Sequence, residues 1–168
     1  MSTDSKEIVN EMTETEVLDL LSATLAEKIP PDLYEDLDAF VAALSKVPPA
    51  LAAMAATHQL DVSLTMDPLG WHFSNWHHHG YARATARGLR ELGALHAAEL
   101  FESAYLIAQR HWKELESDDP SWYEGSELER ELAPIDRELS ELVKSYGEFG
   151  IMSLWVTYAR QHPRLLCE

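Results

Sequence analysis

Five of the eight histidines lie between residues 58 and 79, and three of them, His77-His78-His79, are consecutive. Neutral imidazole is the commonest metal ligand and exchanges protons near neutral pH. Metal ligation or acid–base chemistry is therefore the first possibility to weigh. The segment reads Gly70-Trp71-His72-Phe73-Ser74-Asn75-Trp76-His77-His78-His79-Gly80. On a helix, His72 and His79 would share a face, and they are the metal candidates. No carboxylate falls inside the segment, however, and the HExxH spacing is absent. The competing expectation is that Trp71, Phe73 and Trp76 pack into the core while the histidines cap, hydrogen-bond or face solvent. A native metal site is accordingly not assigned.

Other catalytic patterns are equally thin. The chain has no Gly-x-Ser-x-Gly elbow, no phosphate-cradling P-loop and no Rossmann fingerprint. Its many carboxylates could supply an acid–base pair, but spacing singles none out. The expectation is a protein that is not an enzyme, with no catalytic residue and no cofactor.

The carboxylates carry more information as a group. Twenty-nine Asp and Glu face thirteen Lys and Arg, a net charge of −16 in 168 residues. Residues 1–47 hold eleven acids and three bases, residues 113–148 hold twelve and four, and residues 48–112 hold five and four. The surplus is two blocks of −8 around a nearly neutral centre. Asp4, Glu7, Glu11 and Glu14 follow helical spacing, Asp32, Glu35 and Asp36 cluster, and Glu124, Glu127, Glu131, Glu138 and Glu141 run beside a leucine stripe. Like charges one turn apart destabilise a helix, so acids without interleaved Lys suggest a binding face. These twelve residues are the candidate partner-binding site, with a solvated exterior as the plain alternative. Such a field attracts basic partners. It disfavours direct nucleic-acid binding, which needs clustered Lys and Arg, and it is repelled by anionic lipid.

Helices must position these residues, because strand signals are nearly absent. The spacing predicts helices from about Asp4 to Lys28, from Pro31 to Leu44 and from Ala50 to Thr65. An aromatic segment follows, then helices over Gly80–Leu92, capped by Gly93, and over Leu95 to about Glu116, the most apolar and expected to be central. Leu128, Leu132, Ile135, Leu139 and Leu142 mark another, which Pro134 is expected to split or kink. Ile151, Leu154, Trp155 and Tyr158 line the last. Arg83, Arg87 and Arg90 form the only basic stripe, expected to pair internally with the acidic helices. The sum is an all-α, single globular bundle of roughly seven to eight helices over residues 1–168, with acidic helices in 1–47. The lone Cys167 excludes an intrachain disulfide, and no apolar run reaches membrane-spanning length. A cytoplasmic protein is expected, and a dimer is possible.

Three stretches carry a resemblance. Gly70-Trp71-His72-Phe73-Ser74-Asn75-Trp76 after the Leu51–Leu64 helix, Ala86-Arg87-Gly88-Leu89-Arg90-Glu91-Leu92-Gly93-Ala94, and Trp155-Val156-Thr157-Tyr158-Ala159-Arg160-Gln161-His162-Pro163 are similar to segments of a bacterial DNA-mimic protein family, an all-α, DMP-type domain. That family's paired Asn before the Gly is replaced by Asp67, Pro68 and Leu69. The resemblance covers residues 48–168 and implies a protein that offers carboxylates where DNA offers phosphates, blocking a DNA-binding protein such as a transcription regulator or nucleoid protein. The alternative is an immunity or antitoxin-like protein that neutralises a basic toxin such as a nuclease. The third reading is a metal-dependent binder or enzyme built on the His-rich segment.

Overall fold

The computed structural model describes residues 9–117 and 120–166. The described residues are 79% helical and contain no strand. Among them, eight α-helices of seven residues or more follow in order: α1 Glu14–Lys28, α2 Leu37–Leu44, α3 Pro49–Met66, α4 Leu69–Asn75, α5 His79–Glu91, α6 Leu95–Arg110, α7 Glu127–Lys144 and α8 Ile151–Gln161. Short 3-10 turns cover Pro31–Glu35, Glu114–Glu116, Pro120–Trp122 and Pro163–Leu166. The all-α bundle anticipated from periodicity is thus the observed fold.

Polar residues set several boundaries that periodicity misplaces. The expected first helix is interrupted: Thr13 accepts from the Glu16 backbone N–H while Glu16 reaches back to the Thr13 N–H at 2.7 Å. This capping box starts a new helix where the acid spacing seemed continuous. Likewise the Pro31–Leu44 stretch is a 3-10 turn and then α2, because the Asp36 carboxylate caps α2 by accepting from Ala39 N–H at 3.0 Å. The helix expected to reach Glu116 ends at Arg110. Pro134, expected to split or kink its run, does not split it: it lies inside one continuous α7. It sits on the solvent side, so the carbonyl it strands can turn to water. Gly93 behaves as expected: at φ 80° it lets Ala94 N–H bond Leu89 C=O and Gly93 N–H bond Arg90 C=O, closing α5.

The central helix is α3, not α6. It packs on α2, α4, α5, α7 and α8. Ala50, Ala53, Ala55 and Ala56 are buried around its circumference together with Leu51, Met54 and Leu60, so it has no broad polar face. Its closest neighbour is α5, where a Cβ on Gly88 would come within 2.9 Å of the Ala53 carbonyl oxygen. By contrast α6 leaves Leu95 and Leu106 exposed. Total hydropathy favoured α6; small side chains, which let five helices approach, favour α3.

The three stretches that carry the family resemblance are packing elements around α3. His72 and Phe73 of α4 are buried. The end of α5 carries the Gly93 closure. In α8, Trp155 is buried and its indole N–H donates to Thr57 Oγ1 at 3.2 Å, while Tyr158 O–H donates to Glu91 at 2.9 Å.

Candidate functional site

The acids of α7 make the clearest surface. At about 100° per residue, Glu127, Glu131, Glu138 and Glu141 fall within an arc of about 80°, opposite neither the core nor each other. Leu128, Leu132 and Leu139 beside them are buried, which holds that arc at the margin of the bundle. The Ser126 hydroxyl caps α7 by accepting from Glu129 N–H at 3.0 Å, and Glu129 accepts from Gly125 N–H at 2.6 Å. Glu124 precedes this cap and is exposed, as are Glu127, Glu138 and Glu141.

Helix α6 runs alongside and brings Arg110 and two histidines to the seam. Arg110 donates to Glu131 at 2.8 Å, His111 lies 3.7 Å from the same carboxylate, and His96 lies 3.1 Å from Glu138. Glu131 and Glu138 are therefore partly answered within the fold. Among the described residues Glu124, Glu127 and Glu141 have no ion-pair partner. Two acids outside the candidate group join this side, Glu99, within 3.8 Å of His96, and Glu114, held by His111 at 2.8 Å, whereas Glu102 is held by Arg90 of α5 at 2.6 Å. The sequence signal for Glu99 was the i, i+3 pair Glu99–Glu102 on an exposed helix face, hidden by the near neutrality of residues 48–112.

The N-terminal candidates are placed differently. Asp4 and Glu7 lie outside the described residues. Glu11 and Glu14 are exposed but separated by the break at Thr13, while Asp32, Glu35 and Asp36 are exposed around the 3-10 turn. Helix α1 packs on α8, and α2 packs on α3 and α5; α7 packs on α6, α4 and α3. The two blocks ride on elements that are not close neighbours, so they form two patches with α5 and α6 between α2 and α7.

Two acids that spacing did not single out serve the fold. Asp61 accepts from Ile151 N–H at 2.7 Å and so holds the start of α8. Asp136 holds Leu69 N–H at the start of α4. Burial raises both carboxyl pKa values, partly countered by those backbone bonds.

The histidine segment resolves into single tasks. His72 is buried and its Nδ1–H donates to Ser63 Oγ at 2.9 Å; burial drives its pKa down to about 3. His78 caps α5, its Nδ1 accepting from Tyr81 N–H and its Nε2–H donating to Asp38, both at 2.9 Å. His77 and His79 stack on Trp112, each with ring centroids 4.2 Å from the indole. His79 Nδ1 also lies 2.7 Å from the Tyr105 hydroxyl. The metal candidates His72 and His79 thus have separate partners, and among the described residues no three His, Cys, Asp or Glu side chains converge on a metal position. Trp71 is partly buried, as is Trp76. Of the basic stripe, Arg90 pairs with Glu102 and Arg83 with the Tyr105 hydroxyl. Their partners lie on α6 or are uncharged, not on the acidic helices as expected. No described helix is long and apolar enough to cross a membrane.

A family model described as DMP19-like protein matches residues 45–162. No curated protein and no solved structure matches the chain. The match spans all three stretches of resemblance, and the chain belongs to the DMP19-like family.

Proposed function

We propose that this member of the DMP19-like family is a non-enzymatic DNA mimic, an acidic protein that occupies the DNA-binding surface of a basic partner. The observation that carries the reading is the row of exposed carboxylates on α7, with Glu124, Glu127 and Glu141 free of ion pairs among the described residues. Duplex DNA presents one charge per ~1.7 Å of axis, whereas a helix stripe with an acid every half-heptad presents one per ~5 Å. One stripe is too sparse, and the neighbouring Glu99 and Glu114 raise the density on the same side. Of the other described candidates, Glu11 and Glu14 are exposed at the start of α1, and Asp32, Glu35 and Asp36 are exposed around the Pro31–Glu35 turn, where they can widen the contact on a large partner. DNA-binding proteins fit this surface because their own sites are built to meet closely spaced phosphates.

Native-lysate capture on the intact protein tests this reading. Partners should be basic, should elute between low salt and about 0.5 M salt, and should be displaced by duplex DNA. Replacing Glu124, Glu127, Glu138 and Glu141 by Gln should weaken capture by at least tenfold, on the order of 1.4 kcal/mol. Partners that resist both salt and DNA would sink the reading.

A further inference from the structure

A cavity of about 330 Å³ opens between α1, the Pro31–Glu35 turn, α3 and α8. Its volume is at the lower end of the range for small-molecule pockets. The walls are mainly apolar and aromatic: Leu25 and Ile29 on one side, Tyr34 above, Trp155 opposite. Two of the aromatic groups are fixed by their own polar ends. The Tyr34 hydroxyl donates to the Ala55 carbonyl at 3.1 Å, and the Trp155 indole N–H is held by Thr57. Tyr34 is half-buried and offers ring surface to a ligand, while the buried Trp155 forms the floor beneath it.

One edge of the cavity is polar but uncharged. His58 and Gln59 lie there, and neither side chain has a hydrogen-bond partner among the described residues. The His58 ring leans on Trp155 at 5.8 Å, and burial lowers its pKa, keeping the imidazole neutral. It offers one donor and one acceptor. Among the described residues no Asp, Glu, Lys or Arg lines the cavity. A charged ligand would lose its hydration with no counterion to replace it, and an anion would also enter against the −16 field.

We propose that this cavity binds a small, neutral, planar heteroaromatic molecule, with its ring against Tyr34 and Leu25 over the Trp155 floor and its polar edge on His58 and Gln59. Leu25, Ile29 and Tyr34 precede the family-matched region, residues 45–162. The site is thus made by the N-terminal helices docking on the family domain, and none of its lining residues lies on α7.

Indole is the probe, read by the Trp155 indole N–H resonance of the full chain. Indole should shift this resonance saturably, with a dissociation constant of about a millimolar or below. Ala26 is an exposed wall residue, so Ala26→Trp should fill the mouth, keep the fold and weaken indole by at least about tenfold. His58→Phe keeps a ring against Trp155 and should weaken indole about fivefold while leaving benzene unchanged. Indole-3-acetate and tryptamine should bind more weakly than indole. Absence of a saturable shift, undiminished binding by Ala26→Trp or His58→Phe, or equal affinity for either charged analogue would overturn the proposal.

Discussion

His72 shows how one residue can look like a ligand and serve as core. It sits against Phe73 and Phe101, with ring centroids 5.6 and 5.7 Å away, and its ring bonds Ser63. The folded protein holds it neutral down to about pH 3, whereas the unfolded chain takes up the proton near 6.5. Between those values the unfolded state binds more protons, so stability falls as the pH drops, by about 1.4 kcal/mol per pH unit below roughly 6.5. Asp61 and Asp136 oppose this below neutrality, since their raised pKa values favour the folded state as protons are added. Urea titrations from pH 7 to 4 should therefore be compared with those of His72→Phe. The variant should lose the His72 part of the slope; an unchanged slope would show that the imidazole already titrates in the folded state. The sequence marks this histidine only by its place between Trp71 and Phe73, an apolar context that favours core over ligand.

At the scale of elements, the hydrophobic repeat located the helices, and local polar chemistry set their ends. Leu128, Leu132 and Leu139 place α7 correctly, yet Pro134 suggested two helices where there is one. A proline costs the helix one hydrogen bond and a clash with the carbonyl one turn back, but α7 buries enough leucine to continue through it, with the proline exposed. Pro134→Ala should restore that bond and stabilise the protein by about 1–3 kcal/mol in urea unfolding. Destabilisation would mean that the proline geometry is required for packing on α6. Thr13 and Asp36 are caps whose side chains break helices that the apolar spacing alone would join. The capping box was written in the sequence as Thr13-Glu14-Thr15-Glu16, but it lay inside a run of acids and read as part of a stripe.

For the whole molecule, the charge of −16 acts twice. It repels itself in the folded state, and it attracts a basic partner. Salt screens both, with a Debye length of about 10 Å at 0.1 M and about 3 Å at 1 M. Added salt should therefore raise the Tm of the free protein while weakening its complex. Replacing Glu127, Glu138 and Glu141 by Gln should flatten the rise in Tm. A Tm that falls with salt would mean that the seam pairs His96–Glu138 and Arg110–Glu131 outweigh the repulsion.

The sequence by itself determined the all-α class, the positions of the main helices, the two acidic blocks and the family, because these depend on residue type and on spacing along one chain. Only the tertiary structure decided that α3 is central, that α7 and α1 carry their acids on separate patches, and that Glu99 and Glu114 join the α7 side. It also decided that Asp61 and Asp136 hold helix ends rather than face a partner. These outcomes depend on which helix faces meet, and that is set by small side chains such as Gly88 against Ala53 and by long-range capping bonds such as Asp61 to Ile151. Such contacts join residues far apart in the chain, where periodicity carries no signal.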